Sequence, residues 1–212
     1  MLTLVAMADT HGYHAGYAVP PGDILIHAGD FCRRGSPDEV QSFCDFLAAQ
    51  PHRHKIVVAG NHDRWFEDAP LAARALLPPG VIYLEDEAVT IEGIRFYGSP
   101  WQPEFHSWAF NLPRGPAIAE KWARIPEDTQ VLITHGPPYG YGDQNDDSER
   151  VGCEDLLRRV RIVRPRLHIF GHIHEDPGQW REGATTFVNV TTNQCAIPCA
   201  VLRWPLELPG PR

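Results

Sequence analysis

Short apolar runs recur along the chain, each ended by a polar or glycine-rich break. Eight of them, residues 2–8, 23–29, 55–60, 94–99, 131–135, 167–171, 185–190 and 199–204, are rich in β-branched side chains and lack the helical period. They predict buried strands. Residues 81–93 predict a short strand pair. One helix is clearly written over 36–50: Ser36 is the N-cap, Pro37 takes the first helical position and Glu39 completes a capping box. Val40, Phe43, Cys44 and Leu47 then form one apolar stripe. Residues 71–77, 116–125 and 153–163 predict further helices.

Strands that are apolar throughout and alternate with helices predict an α/β fold whose sheet is covered on both faces. No composition shift or internal repeat divides the chain, so residues 1–212 read as one domain. Two long segments carry neither pattern: the polar run 137–150 and the aromatic run 99–111. Loops of that length in a compact domain tend to be functional. The 20 prolines, nearly twice the average share of about 5%, make many connections stiff.

The chemistry-bearing residues fall at the strand ends. Asp9 and His11 follow the first strand, Asp30 the second, and Asn61, His62 and Asp63 the third. His135 ends the run 131–135, and His172 and His174 follow 167–171. That edge of an open α/β sheet is where ligands bind. Singly, such residues are common. Together, with His62 and Asp63 set aside, they supply two aspartates, one asparagine and four histidines, a set of oxygen and nitrogen donors suited to Mn, Fe, Co, Ni or Zn. Seven residues give each of two cations four bonds if one aspartate bridges. In extended backbone, positions i and i+2 share a side, so Asp9 with His11, and His172 with His174, can each aim two groups at one site. The glycine in "GNHD" suits a tight turn.

Charge bears on the substrate. The formal net charge of −8 argues against a protein that coats nucleic acid, though not against a single nucleotide. Two divalent cations bring four positive charges and two aspartates cancel two, leaving about two. A hydroxide and a phosphodiester monoanion neutralise that remainder; a monoester dianion overshoots by one, unless Arg34 or Arg64 compensates. The five cysteines, at 32, 44, 153, 195 and 199, have no disulfide or zinc-knuckle spacing. The start shows no secretory pattern and no run reaches 18 apolar residues, so a cytoplasmic protein without membrane contact is expected.

The series Asp9-x-His11, Gly29-Asp30, Gly60-Asn61-His62-Asp63, His135-Gly136 and Gly171-His172-Ile173-His174 resembles the calcineurin-like metallophosphoesterase superfamily. Stretches such as "GDILIHAGDF", "KIVVAGNHD" and "YGSPWQPEF" look most like its small MPPED-type metallophosphodiesterase branch. The resemblance implies a four-layer α/β/β/α sandwich of two mixed sheets flanked by helices. It implies two divalent transition-metal ions, manganese first, with nickel, iron, cobalt or zinc fitting the same donors. Asp9, His11, Asp30 and His174 would hold one ion, and Asp30, Asn61, His135 and His172 the other, with Asp30 as the bridge. A metal-bridging hydroxide would attack phosphorus in line while His62 protonates the leaving oxygen and Asp63 orients and charges that imidazole. Small phosphodiesters, including 2′,3′- and 3′,5′-cyclic nucleotides, are the implied substrates. A phosphomonoesterase, or a noncatalytic scaffold on the same fold, are the alternatives. "GDFCRRG" departs from the protein-phosphatase pattern, with Arg33 where that pattern has an aspartate. His14, and aromatic residues 101–110 that could stack on a base, are further candidates for the site; the remaining histidines read as structural.

Overall fold

A computed structural model describes residues 1–206; residues 207–212 of the predicted domain lie outside the described residues. The first part of the chain runs β1 (Leu2–Met7), β2 (Ile24–Ala28), α1 (Pro37–Ala49), β3 (His54–Val58), α2 (Arg64–Asp68), α3 (Pro70–Ala75) and β4 (Val81–Tyr83). The middle holds β5 (Glu87–Ile91), β6 (Ile94–Ser99), β7 (Gln102–Pro103), β8 (Asn111–Leu112), α4 (Pro116–Ala123) and β9 (Val131–Thr134). Last come α5 (Glu154–Val163), β10 (Leu167–Phe170), β11 (Gly178–Glu182), β12 (Thr185–Asn189) and β13 (Ala200–Trp204).

Two mixed sheets form. One has the order β13-β1-β2-β3-β4, parallel except for β13; the other has the order β11-β12-β10-β9-β6-β5, parallel except for its two edge strands. Alternation along each strand explains how they stack. Leu4 and Ala6 of β1, with Ile24, Ile26, Ile56 and Val58, face Phe96, Val131, Ile133, Leu167 and Ile169 of the other sheet in one buried cluster. The intervening residues Val5, Met7, Leu25 and Val57 point the other way, against Val40, Phe43 and Leu47 of α1. On the far side, Tyr97, Leu132, Phe170 and Phe187 pack on Ile118 and Trp122 of α4 and on Leu156 and Val160 of α5. The result is the four-layer α/β/β/α sandwich. Burial on both faces is why the strands read as continuous apolar runs.

The capping box of α1 forms as read: Ser36 Oγ accepts from Glu39 N–H at 3.3 Å, and Glu39 Oε2 accepts from Ser36 N–H at 3.1 Å. Such a cap is worth about 1 kcal/mol. One expectation fails. Residues 81–93 hold two strands, but they do not pair: β4 lies parallel to β3, whereas β5 pairs with β6 in the other sheet. The turn between them carries Leu84 into the inter-sheet core, where its N–H donates to Val57 O at 2.9 Å. Among the described residues, no helix is long and apolar enough to cross a membrane.

Candidate metal centre

Both sheets present their C-terminal strand ends to one place. Asp9 and His11 arrive after β1, Asp30 after β2, Asn61 and His62 after β3, His135 after β9, and His172 and His174 after β10. Asp9, Asp30, Asn61 and His135 are each at most 2% exposed. Asp9, His11, Asp30 and His172 all have left-handed backbones, with φ of 57°, 44°, 58° and 72°. Such conformations are costly for residues with side chains and cluster at functional sites. The extended-backbone argument for pairing i with i+2 therefore does not hold. Asp9 and His11 do converge, but His172 and His174 part company and join different groups.

Three groups of donors result: Asp9, His11 and His174; His11, Asp30 and His62; and Asp30, His135 and His172, each with its ligand atoms within 4.8 Å of one another. Asp30 stands between the two ends of the cluster, near His11 Nε2 at 3.8 Å and near His135 Nε2 at 3.4 Å. The His135 ring shows what these groups are arranged for. Its Nδ1 lies 3.0 Å from Ala28 O, to which it can only donate. In the neutral ring Nε2 is then a lone pair, yet it faces Asn61 Oδ1 at 2.9 Å, His172 Nδ1 at 3.2 Å and Asp30 Oδ2. At the other end His11 Nε2 faces His174 Nε2 at 3.2 Å, and His174 Nε2 lies 3.7 Å from Asp9 Oδ1. Electron pairs converging in a buried space are what a cation requires, and the residues present fit two divalent ions.

Electrostatics agree. Burial disfavours charge on His135, but the Asp30 and Asp9 carboxylates outweigh it and push its pKa up to about 9. A proton thus answers the same negative field that a cation would. His172, by contrast, falls to about 4, first through burial and then through His135. Burial raises Asp30, but the neighbouring histidines His135 and His11 outweigh it and hold its carboxyl well below the ordinary range.

Two glycines make the approach possible. A Cβ on Gly60 would overlap Asp30 Oδ1 and come within 2.6 Å of His135 Cε1. A Cβ on Gly171 would lie 2.5 Å from Asp9 Oδ2. Gly60 is outside the positive-φ set. Its glycine is needed for room at the donors, and the tight turn expected there is not the reason.

Asp63 departs from its expected role. Its carboxylate is fully buried and accepts the N–H groups of Gly60 at 2.7 Å, Asp30 at 2.8 Å and Cys32 at 2.9 Å. It binds the loop after β2 to the loop after β3 and does not orient His62. The reason is local: the turn from His62 into α2 sends the two side chains apart. His62 instead places Nδ1 2.6 Å from the carbonyl oxygen of Arg33, and its own N–H donates to Asp30 Oδ1 at 2.8 Å. Burial and the Asp30 charge raise the Asp63 pKa against the pull of the Cys32 and Gly60 N–H donors.

Other candidates are placed as follows. His14 is buried on Phe43 and Phe46 with Nε2 3.2 Å from Ser42 Oγ, a packing position. Arg34 is exposed and its backbone N–H donates to Glu39 in the helix cap. The Arg64 guanidinium donates to the Ser107 carbonyl, tying the aromatic loop to α2. In that loop Trp108 overlies His62, and Phe105 stands edge-on to His172 with centroids 6.1 Å apart. His27 and His168 are buried against Thr10 and Thr134. Two partners were missed. The Arg33 carbonyl is a backbone group with no side-chain signal, and Trp108 was one aromatic among several.

Comparison with known proteins gives a consistent result. Residues 2–176 match the family model described as "Calcineurin-like phosphoesterase". The human "Metallophosphoesterase domain-containing protein 1" is 43% identical over 235 residues, covering 98% of this chain and 71% of that protein. The "UPF0046 protein K07C11.7" of Caenorhabditis elegans is 42% identical, covering 92% of this chain and 70% of its own. Among solved structures, TT1561 of Thermus thermophilus superposes with a TM-score of 0.64 at 14% identity, covering 94% of this chain and 97% of its own.

Proposed function

Because the chain belongs to the calcineurin-like phosphoesterase family, and so to metal-dependent phosphoester hydrolases, we propose that it cleaves small phosphodiesters at a binuclear centre. Asp9, His11, Asp30 and His174 would hold one divalent ion, and Asp30, Asn61, His135 and His172 the other. When bound, the two cations supply Lewis-acid polarisation of the phosphoryl group and an activated water at neutral pH. Manganese is the preferred ion, with nickel, iron, cobalt or zinc suited to the same donors.

The carrying observation is the position of Asp30 between the two donor groups, which lets one carboxylate serve both cations. Asn61 adds an oxygen donor without charge. The site's surplus is then about two positive charges, which a hydroxide and a diester monoanion balance. His62 supplies the proton. With Nδ1–H donated to the Arg33 carbonyl, the imidazolium form of the ring has its second proton on Nε2, free to pass to the leaving oxygen. The organic part of a substrate has room in a cavity of about 480 Å³ beside His172, lined by Phe105, Pro137, Asp146, Asp147 and Glu175. Four acidic side chains of its lining, Glu104, Asp146, Asp147 and Glu175, outnumber the one cation, Arg114, and favour a neutral arm, as in a cyclic nucleotide, over a second phosphate. The intact donor set argues against a noncatalytic scaffold.

The test is a metal-by-substrate screen of the purified chain. Bis-p-nitrophenyl phosphate is expected to turn over faster than p-nitrophenyl phosphate with Mn²⁺ or Ni²⁺, with 2′,3′- and 3′,5′-cyclic nucleotides in the same panel. Equal or faster monoester cleavage would overturn the diesterase reading.

A further inference from the structure

The aromatic segment 101–110 is fastened to the loop that carries His62. Ala109 N–H donates to Asn61 O at 3.2 Å, the Arg64 guanidinium donates to Ser107 O, and Phe110 N–H donates to Glu67 Oε1 at 2.8 Å. Gln102, buried, braces the same segment through Ala109 O at 2.7 Å and Asn111 Oδ1 at 2.9 Å. These bonds set the half-buried Trp108 over the His62 imidazole, with centroids 4.1 Å apart and planes 31° apart. His11 meets the same imidazole edge-on at 4.6 Å and 84°.

One hydrogen bond does not fix a ring. With Nδ1–H on the Arg33 carbonyl alone, the imidazole can rock about that contact and swing Nε2 through a wide arc. A large flat side chain packed face-on removes that freedom at small entropic cost, because the indole is itself held by its loop. We propose that Trp108 is a positioning residue for His62, holding the imidazole plane so that Nε2–H aims at the leaving oxygen. This rests on the reading of His62 as the proton donor. As the P–O bond breaks, its electron pair goes to the leaving oxygen, which takes the Nε2 proton. Nδ1–H stays on the Arg33 carbonyl, and the imidazole is left neutral.

The consequence depends on the leaving group. A p-nitrophenolate departs without help, whereas a phenolate of higher pKa needs the proton. The test compares methyl p-nitrophenyl phosphate with methyl phenyl phosphate, using the Mn²⁺-loaded full chain as wild type, Trp108→Ala, Trp108→Phe and His62→Ala. Trp108→Ala is expected to slow the phenyl ester at least about tenfold more than the nitrophenyl ester, part of the 10²–10⁴-fold that positioned proton transfer contributes. Trp108→Phe, which keeps a flat ring, should recover most of that loss. A second readout needs no turnover. Long-range ¹H–¹⁵N spectra of the metal-free chain should show the neutral His62 ring, the form left once the Nε2 proton is given up, as the Nδ1–H tautomer, and as a mixture in Trp108→Ala; the His62→Ala spectrum assigns the signal. Equal slowing of both esters in Trp108→Ala, or no slowing, would overturn the role. If His62→Ala itself slows both esters alike, the proton-donor reading fails, and this inference fails with it.

Discussion

The Nδ1 atom of His62 lies 2.6 Å from the carbonyl oxygen of Arg33. A carbonyl only accepts, so this contact fixes the tautomer and leaves Nε2 to face the substrate. His62 is grouped with His11 and Asp30, and the proton-donor role keeps it out of the ligand set. His62→Ala is therefore expected to keep the metal content of the wild type and to lose about 10²-fold or more on poor leaving groups. Metal analysis together with the two-ester comparison checks both halves. Loss of metal from this variant would make His62 a ligand.

Asp63 is expected to act through the fold. Replacing it with alanine strands three buried N–H groups, those of Gly60, Asp30 and Cys32. At about 1–3 kcal/mol each the cost is at least about 3 kcal/mol, or roughly 6–12 °C in melting temperature for a chain of this size. Metal affinity should fall as well, since the Asp30 loop loses its anchor. An unchanged melting temperature with a selective loss on poor leaving groups would instead restore the pairing with His62.

Gly60→Ala tests the packing of the donors. The added Cβ overlaps Asp30 Oδ1 and crowds His135. Metal affinity is expected to drop about tenfold or more, while the circular dichroism spectrum stays that of the wild type. Wild-type affinity in this variant would show that the two loops can separate freely.

His168 carries a pH prediction. It is fully buried, with Nε2 2.9 Å from Thr134 Oγ1, and burial pushes its pKa down to about 3. The unfolded chain binds a proton at this residue near pH 6.5 and the folded chain does not. Stability is therefore present in full above pH 6.5 and falls as the pH drops towards 3, by about 1.4 kcal/mol per unit for this one group. Urea midpoints of metal-free wild type and His168→Gln between pH 7 and 5 should differ in slope by one proton. Parallel slopes would mean that His168 is protonated in the folded state.

What could be read beforehand follows from where each signal resides. The strands were legible because both faces are buried, as Leu4 and Val5 show by pointing into different cores. The donors were legible because strand ends converge in such folds. Partnership was not. Residues 81–93 look like a strand pair, but β4 turns back to β3 and β5 pairs forward with β6, in different sheets. Strand β11 was missed because it is a half-exposed edge with polar residues, Gln179, Arg181 and Glu182. Asp63 beside His62 suggested a pair, whereas left-handed turns at Asp9, His11, Asp30 and His172 redirect side chains in ways that spacing does not encode. The Arg33 carbonyl has no signature at all, since every residue carries one.

The central claim is that Asp30 joins two cations in one centre. Elemental analysis of the Mn²⁺-loaded, desalted chain, with bis-p-nitrophenyl phosphate turnover measured on the same samples, tests it most directly. Wild type is expected to retain two manganese ions per chain. Asp30→Ala, which removes the shared carboxylate, should retain fewer than one and lose turnover in proportion. A wild-type chain that hydrolyses the diester with one ion or none, or an Asp30→Ala chain that keeps two, would contradict the account.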